Sequence, residues 1–332
     1  MSRLSRLLSH ILENRAVGRT EVRRGAERKR LSRTEVRPTD TANLRGGGIL
    51  AGALLCLSLP ALADDKLRFS LIRTATTKPV PQAMVTASGS WFSGDPSNHV
   101  AVLVEHGQQR FLFDTGLGKQ AEQQFKQDMP YWIRPVMDFQ LGKPARQQLD
   151  EAGIEIQQIY LSHTHWDHLS GAPDFPEAKV YAQAEEQLYM RMDSPPRVLP
   201  SQANAPIRWH QLPLNNKPYG PFQRSLDLYG DGKVVLVAIP GHTPGSMGMY
   251  LNFSPERRYL FVGDAIWRVR EVTDHSYKAW PARSIVDHDC KQTREGIEMI
   301  RQAQAQAPGL TLIPAHDTGV HDALGYFPNW IE

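Results

Sequence analysis

Cysteine is scarce in this chain, which has only Cys56 and Cys290 among 332 residues. Cys56 falls within an N-terminal segment that we expect to be removed, so the mature chain would keep one cysteine and form no disulfide within itself. Cys290 lies in a predicted helix, where a lone cysteine is more often a packing residue than a nucleophile. Stability must then come from a hydrophobic core, for which the remaining length is ample.

A basic stripe is also missing from most of the chain. The formal net charge is +3, but residues 1–63 carry a net +7 and the remainder a net −4. The basic character therefore belongs to the N-terminal segment, and the rest of the sequence gives no indication of nucleic-acid binding. The apolar content of 41% is that of an ordinary globular protein.

The N-terminal apolar run, Ile49–Leu59, is too short for a bilayer-spanning helix. It follows several arginines, is broken by Pro60, and precedes Ala61-Leu62-Ala63, which has the small-x-small pattern of a cleavage site. We therefore expect a basic segment with a cleavable signal peptide at residues 1–63. A periplasmic or secreted domain at residues 64–332 would follow, without membrane contact after cleavage. The alternative is an uncleaved membrane anchor.

Apolar runs of strand length alternate with helical patterns in the mature region. The expected strands are residues 67–76, 99–107, 110–116, 154–162, 178–183, 207–212, 233–240, 246–253, 258–265 and 310–317. The expected helices are residues 117–128, 144–152, 184–192 and 287–307. A short polar turn separates the strands at 99–107 and 110–116, which predicts a hairpin. The order of elements predicts a layered α/β sandwich.

Three histidines and an aspartate follow the expected strand at 154–162 in the stretch SHTHWDH. His163 and His165 are two positions apart, so on an extended chain they face the same side. Asp167 and His168 come where the chain turns into a helix. Imidazole and carboxylate groups suit Zn²⁺ or a similar divalent ion, and a cation also removes the cost of clustering them. The stretch therefore predicts a metal-binding loop.

Further candidate ligands each come after an apolar run. They are His242 in PGHTPGS, Asp264 in VGDA and His316 in PAHD. Each alone would be a weak signal. A single aspartate after a strand is more often a helix cap, and a single histidine is more often a polar loop residue. Together with the histidine loop they repeat one arrangement, a strand followed by a ligand. Such a repeat would build a shared site at one edge of stacked sheets.

These motifs, with FDTG at residues 113–116 upstream, resemble in content and order those of the metallo-β-lactamase superfamily of hydrolases. The resemblance covers residues 67–320 and implies a four-layer αββα sandwich. It also implies two divalent metal ions, for which Zn²⁺ is favoured and Mn²⁺, Fe or Co²⁺ also fit. In this resemblance the first metal is bound by His163, His165 and His242. The second metal is bound by Asp167, His168 and His316, and Asp264 bridges both metals.

The resemblance implies the chemistry as well. Two cations about 3.5–4 Å apart would share a water and lower its pKa to near neutrality, and the resulting hydroxide would attack a carbonyl or phosphoryl centre. Asp167 and Asp264 are the expected catalytic residues, because they would orient the nucleophile or move its proton. No serine, cysteine or lysine nucleophile is needed. Asp114 is expected to orient a ligand histidine or, alternatively, to form the turn before Gly116.

The family hydrolyses many substrates, so the ligands alone leave the substrate open. The bridging Asp264 argues against the β-lactam-cleaving branch, and the flanking sequence is closer to the lactonases, esterases and phosphotriesterases. Trp267 stands where lactonases carry a tyrosine, which argues against acyl-homoserine lactones as the specific substrate. We expect hydrolysis of a lactone or ester. The alternatives are phosphotriester or thioester hydrolysis and, in another class, a non-catalytic metal-binding protein.

The proline-broken stretch MPYWIRPVMDFQ, residues 129–140, is rich in aromatic side chains. It fits an apolar wall or lid over a small-molecule substrate with an apolar part, or else a core or homodimer contact. Trp132, Phe139 and Trp267 are the expected substrate-binding residues. Histidines without motif context are expected in surface or core roles: His210, His275, His288 and His321.

Overall fold

A computed structural model describes residues 66–332. The basic segment and signal peptide expected at residues 1–63 lie outside this range. Within it, no helix has both the length and the apolar character needed to cross a membrane.

Residues 66–332 form fourteen strands. In chain order they are β1 Leu67–Thr77, β2 Val80–Pro81, β3 Gly94–Asp95, β4 Asn98–His106, β5 Gln109–Phe113, β6 Phe139–Leu141, β7 Gln158–Tyr160, β8 Lys179–Ala182, β9 Arg208–Gln211, β10 Ser225–Asp227, β11 Val234–Ala238, β12 Met247–Asn252, β13 Arg258–Phe261 and β14 Leu310–Ile313. They form a seven-stranded sheet of order β6-β1-β4-β5-β7-β8-β9, a five-stranded sheet of order β10-β11-β12-β13-β14, and the short pair β2-β3.

Helices connect the strands and cover the sheets. They are α1 Gln82–Val85, α2 Ala121–Asp128, α3 Arg134–Met137, α4 Ala145–Glu151, α5 Trp166–Leu169, α6 Ala184–Met192, α7 Pro200–Ala203, α8 Arg270–Thr273, α9 Trp280–Val286, α10 Cys290–Gln306 and α11 Thr318–Leu324. A 3₁₀ turn spans Ala172–Asp174. The Asp289 carboxylate caps α10 by accepting from two backbone N–H groups of its first turn, which fixes where this long helix begins.

The core between the two sheets is rich in aromatic side chains. It includes Phe69, Phe111 and Phe113 from the larger sheet and Met249 and Phe261 from the smaller one. Successive residues of a strand point to opposite faces, so these residues alternate with others that face outward. Burying each such side chain stabilises the fold by roughly 1.5–3 kcal/mol.

The outer faces of both sheets are covered by helices. Ile72 and Leu103 of the larger sheet pack with Leu149 of α4. Val237 of the smaller sheet packs with Ile297 of α10. The layers are therefore helix, sheet, sheet and helix, which confirms the predicted αββα sandwich.

The expected elements are present, and several are shorter than predicted, most clearly β7, β13, β14 and the helix expected at 117–128. β4 and β5 form the predicted antiparallel hairpin. The strand expected at 154–162 is the short β7, because the chain leaves the sheet to form the histidine loop. The helix expected at 117–128 begins at Ala121, after a turn whose backbone N–H groups donate to the side chains of Thr74, Ser170 and Asp174.

One edge of the sandwich collects the ends of six strands. β5 and β7 run parallel, so their carboxyl ends lie at the same edge, and the antiparallel β4 brings its amino end there. In the smaller sheet β13 and β14 are parallel, and β11 shares their direction because it is separated from β13 by one antiparallel strand. A hydrogen bond from Met247 N to Ser162 O joins the two sheets beside this edge. The candidate ligands lie here.

Candidate metal centre

The first donor group consists of three buried histidines, His163, His165 and His242. One ring nitrogen of each lies within 4.8 Å of those of the other two. Their other nitrogens are occupied by neighbours: Ser162 Oγ lies 2.9 Å from His163 Nδ1, and Tyr189 Oη lies 3.1 Å from His165 Nε2. These contacts leave His163 Nε2 and His165 Nδ1 to face the common centre.

The second donor group surrounds the carboxylates predicted as catalytic residues. His316 Nε2 lies 3.3 Å from Asp167 Oδ2 and 3.2 Å from Asp264 Oδ1. His168 Nε2 lies 3.3 Å from the same Asp264 oxygen. The other oxygen of Asp264 lies 3.5 Å from His242 Nε2. Asp264 therefore contacts both donor groups, as a bridging carboxylate must. The structure brings together all seven residues predicted as metal ligands.

An eighth donor, His99, was not identified from the sequence. It is the second residue of β4 and is buried, with Nδ1 3.2 Å from Asp167 Oδ2. Its ring packs edge-on against that of His316, with 5.2 Å between centroids. The pattern of a ligand after a strand does not include His99, because His99 lies near the start of a strand. Only antiparallel pairing brings that end of β4 to this edge.

Asp114 orients both a ligand and the loop that carries it. Its carboxylate accepts from Ser162 N at 2.7 Å, from Ser162 Oγ at 2.7 Å and from His168 Nδ1 at 2.8 Å. Its φ of 58° lies in the left-handed region, which few residues other than glycine, asparagine and aspartate adopt readily. The two alternatives considered for this residue, ligand orientation and turn formation, are therefore both present in the structure.

The Asp114→Asn substitution is expected to weaken metal binding by about 10–100-fold, because an amide has one acceptor oxygen and its NH₂ group would face a buried donor of Ser162 or His168. Asparagine tolerates the left-handed backbone, but the buried donor without an acceptor should also lower the free energy of unfolding by about 1–3 kcal/mol. Competition with a chelating indicator measures the affinity. An unchanged dissociation constant would show that Asp114 serves only the turn.

A buried carboxylate, Glu186 of α6, joins the loops of the first donor group. Its Oε1 accepts from the backbone N–H and the hydroxyl of Thr164, each at 2.7 Å. Its Oε2 accepts from the Thr243 hydroxyl at 2.6 Å and from Gly245 N at 3.0 Å. Thr164 lies between two ligand histidines and Thr243 follows a third. A Cβ on Gly245 would come within 2.5 Å of Glu186 Cβ, which explains the second glycine of PGHTPGS.

A buried ion pair supports His242. Asp287 Oδ1 lies 2.7 Å from His242 Nδ1 and 2.6 Å from Lys278 Nζ. Burial opposes the charged form of Asp287, but the Lys278 ammonium and the His242 ring outweigh it and lower the pKa of Asp287 to about 2. An ionised Asp287 fixes the tautomer of His242 so that Nε2 faces the site.

Burial and neighbouring charges set the protonation of the donors. Burial lowers the pKa of His163 and of His165, and neighbouring histidines lower both further, so both rings are neutral. Burial also opposes the charged form of His316, but Asp264 and Asp167 outweigh it and raise the pKa of His316 to about 9. A cation that binds there would replace a proton.

Several donor atoms of the site have no hydrogen-bond partner among residues 66–332. They are Nε2 of His163, His168 and His242, and Oδ1 of Asp264. A buried polar atom without a partner costs about 1–3 kcal/mol, so four such atoms facing one another need a common partner. Imidazole nitrogens and carboxylate oxygens at this spacing fit divalent cations such as Zn²⁺. The residues present therefore fit a pair of metal ions.

Trp267 contacts the bridging carboxylate. Its indole Nε1 donates to Asp264 Oδ2 at 2.8 Å, and the ring lies 6.2 Å from that of His316. The same side chain lines the cavity above the donors. The indole N–H is therefore used to hold Asp264.

The Trp267→Phe substitution should lower kcat/KM by about 10–100-fold, since a hydrogen bond to a charged group contributes about 1.5–3 kcal/mol. Phenylalanine keeps most of the apolar surface of the cavity wall. Trp132→Phe is the matched control and should leave kcat/KM unchanged, because Trp132 lies outside the cavity. Equal losses in the two variants would contradict the role given to Trp267.

An apolar cavity of about 520 Å³ opens above the donors. Its floor includes donors from both groups: His165, Asp167, Asp264 and His316. Its walls are mainly apolar and include Val80, Met84, Ile133, Val136, Trp280 and Ile285. Trp280 is 69% exposed at the rim. The cavity therefore fits a small molecule with an apolar part above the metal centre.

Two of the three residues predicted to bind substrate do not line this cavity. Trp132 is 54% exposed and is not among the residues that line the cavity. Phe139 does not line it either, because it pairs with β1 and packs on Phe125 and Trp166, next to His99. The stretch 129–140 does contribute to the wall, but through other side chains. Position along that stretch gave no indication of which side chains turn inward.

The remaining histidines lie outside the donor groups found among residues 66–332. His321 is buried and its Nε2 lies 2.9 Å from Pro314 O, and His210 packs against Tyr181. Cys290 is half-buried at the start of α10.

The match to a known protein family spans the whole candidate metal centre. The sequence model described as "Metallo-beta-lactamase superfamily" matches residues 94–316, which include every donor residue. An N-acyl homoserine lactonase, AttM of Azorhizobium caulinodans, is 24% identical over 209 residues, which are 61% of this chain and 73% of that protein.

Two solved structures share the fold. A point mutant of AiiA from B. thuringiensis, with N-decanoyl-L-homoserine bound at its active site, has a TM-score of 0.62 at 16% identity, and the match covers 80% of this chain and 98% of that one. AidC, described as a dizinc quorum-quenching lactonase in complex with a product, has a TM-score of 0.54 at 17% identity, and the match covers 76% of this chain and 87% of that one.

Proposed function

Because this chain belongs to the metallo-beta-lactamase superfamily and is a metal-dependent hydrolase with lactonase relatives, we propose that it holds two divalent cations, with zinc preferred, and hydrolyses a lactone or ester that carries an apolar part. The observation that carries this proposal is the apolar cavity whose floor contains donors of both groups. The dizinc lactonase of the same fold supports zinc as the metal.

The proposed division of the donor residues between the two cations is the one that the family resemblance implies. His163, His165 and His242 would hold the first, Asp167, His168 and His316 the second, and Asp264 both. When bound, the cations would supply a water of lowered pKa and polarise the oxygen under attack. Asp167 Oδ2 and Asp264 Oδ1 lie close to the same His316 nitrogen, so two carboxylates at the cavity floor are placed to hold or accept a proton.

The charge of the cavity wall favours a neutral substrate. Among the described residues that line the cavity, Arg197 is the one lysine or arginine. Its guanidinium donates to both oxygens of Asp193 at 2.6 Å and to Ile285 O at 3.0 Å, so its charge is neutralised within the protein. A carboxylate-rich thioester such as a glutathione conjugate would find no unpaired lysine or arginine among the described lining residues. A neutral lactone or ester fits this wall better.

A substrate panel on metal-stripped and Zn²⁺-reloaded protein tests the proposal. The panel compares γ-lactones with short and long acyl chains, an aryl ester, an anionic thioester and an aryl phosphotriester. We expect turnover only in the reloaded protein, with kcat/KM highest for a lactone or ester and rising with acyl length. The Asp264→Asn variant, reloaded in parallel, measures hydrolysis that does not depend on the site.

Two results would contradict the proposal in different ways. Preference for the phosphotriester by orders of magnitude would replace the carbonyl substrate with a phosphoryl one on the same site. Absence of turnover for every substrate in a reloaded protein that holds two metals would favour the non-catalytic metal-binding alternative.

We also propose that the protein is exported, on the evidence of the apolar run and cleavage pattern before residue 64. N-terminal sequencing of the protein purified from a cell-envelope or secreted fraction should give Asp64 as the first residue. Recovery of the intact N-terminus from the cytosol would contradict export.

A further inference from the structure

His99 is a buried imidazole whose Nε2 lacks a hydrogen-bond partner among the described residues, while its Nδ1 lies 3.2 Å from Asp167 Oδ2. The residue is 5% exposed. A neutral imidazole has one donor and one acceptor, and leaving one of them without a partner in the interior costs about 1–3 kcal/mol. A buried histidine with such a nitrogen beside a candidate metal centre therefore needs an explanation.

The surroundings of His99 aim its ring at the second donor group. A donor atom of each of His99, Asp167 and His316 lies within 4.8 Å of the other two. The separation of 3.2 Å between His99 Nδ1 and Asp167 Oδ2 matches that between His316 Nε2 and the carboxylates, at 3.2 and 3.3 Å. Donors about 2.0–2.2 Å from one cation and at right angles lie about 3 Å apart, so the spacing suits shared coordination.

The backbone and the packing hold the ring in this orientation. The pairing of β1 with β4 is interrupted by a bulge between Arg73 and Ala75, opposite His99, and bulges commonly redirect a side chain beside a functional site. Thr74 Oγ1 donates to His99 O at 3.0 Å. Trp166 and Phe139 pack against the ring, with centroids 5.8 and 6.4 Å away, so it cannot turn aside easily.

We propose that His99 is an additional ligand of the second cation. This inference rests on the proposed metal pair. The second cation would then have His99, Asp167, His168, His316 and the shared Asp264 as protein donors, whereas the first would have three histidines and Asp264. Four donors suit tetrahedral Zn²⁺, and five favour a cation that takes five or six ligands, such as Mn²⁺, Fe²⁺ or Co²⁺. The two positions would therefore differ in metal preference.

Co²⁺ titration of the metal-stripped protein tests this role without reference to turnover. The visible ligand-field absorption of Co²⁺ is strong in four-coordinate sites and weak in six-coordinate ones, so each equivalent reports its own coordination. His99→Asn keeps an amide N–H that can donate to Asp167 but removes the ligating imidazole. His106→Asn, at the other end of β4, is the matched control, because His106 also contacts an aspartate, Asp231, at 2.7 Å.

We expect the wild type to bind two equivalents of Co²⁺, one with strong and one with weak absorption. In His99→Asn the weakly absorbing equivalent should bind about 10²-fold less tightly and absorb more strongly. His106→Asn should match the wild type. If the asparagine variant folds poorly, His99→Ala with added imidazole provides a second test, in which recovery of the wild-type spectrum supports ligation and no recovery opposes it.

Each contrary result identifies a different error. A wild-type titration in His99→Asn would show that His99 only donates a hydrogen bond to Asp167, and would overturn this inference while leaving the metal pair intact. Fewer than two equivalents in the wild type would overturn the metal pair, and the role of His99 with it.

Discussion

The Asp264→Asn substitution is expected to release both cations and to lower kcat/KM by about 10³-fold or more, a loss of several kcal/mol of transition-state stabilisation. The reason is the position of Asp264, whose two oxygens contact different donor groups, with His168 and His316 on one side and His242 on the other. An amide would place a nitrogen, which cannot bind a cation, at one of these contacts. Elemental analysis of the dialysed variant measures the metal content beside the assay.

The control for this variant is Asp150→Asn. Asp150 lies on the exposed surface of α4 and pairs with Arg146 at 2.7 Å, a contact expected to contribute less than about 1 kcal/mol. It should keep two metals and full activity. If the Asp264 variant retained both metals, the bridging role would be wrong even if the activity fell.

The second large effect is expected at Glu186, which contacts no metal. The Glu186→Gln substitution replaces one acceptor oxygen by an amide that faces N–H and O–H donors of Thr164 or of Thr243 and Gly245. The backbone N–H of Thr164 or of Gly245 then loses its acceptor and the neighbouring hydroxyl must turn, so the free energy of unfolding should fall by about 1–3 kcal/mol. The loops of the first donor group should also loosen, and the first metal should bind more weakly.

Glu185→Gln on the same helix separates this effect from a general loss of charge. Glu185 is exposed and lies 3.4 Å from Arg224, so its replacement should change the unfolding free energy by no more than about 0.5 kcal/mol. Urea unfolding of the metal-free proteins measures both variants. Equal stabilities for Glu186→Gln and the wild type would contradict the account of the loops.

The architecture could be predicted from the sequence because its local signals agree. The apolar runs at β1, β4, β5, β11 and β12 have the length and bounding turns of strands, and the long pattern of α10 has helical spacing. Element boundaries were less accurate next to the site. The start of α2 is the example, since residues 117–119 form a turn held by side chains that are distant in the sequence.

The predicted donors share a local signature, whereas the missed residues do not. His163, His242 and Asp264 each follow a strand, and that position alone brings them to one edge. His99 begins a strand and reaches the edge only through antiparallel pairing with β5. Glu186 acts through contacts across dozens of residues, so no spacing along the chain could indicate its role.

Which aromatic side chains face the substrate also depends on tertiary packing. Trp132 points to solvent while Ile133, its neighbour, lines the cavity. The difference is set by how the segment before α3 packs on α2 and α5, where Ile133 joins a cluster with Phe125 and Trp166. Composition identified the segment, and only the structure identifies the side chains.

Metal content per chain tests the central claim most directly. The protein is stripped with a chelator, reloaded with excess Zn²⁺, dialysed against metal-free buffer and analysed for zinc and protein together. A content of about two zinc ions per chain is predicted, because the donors form two groups that share one carboxylate. Retention of no zinc under these conditions would contradict the proposed metal centre, and a single ion with Zn²⁺ and with Co²⁺ alike would contradict the shared carboxylate.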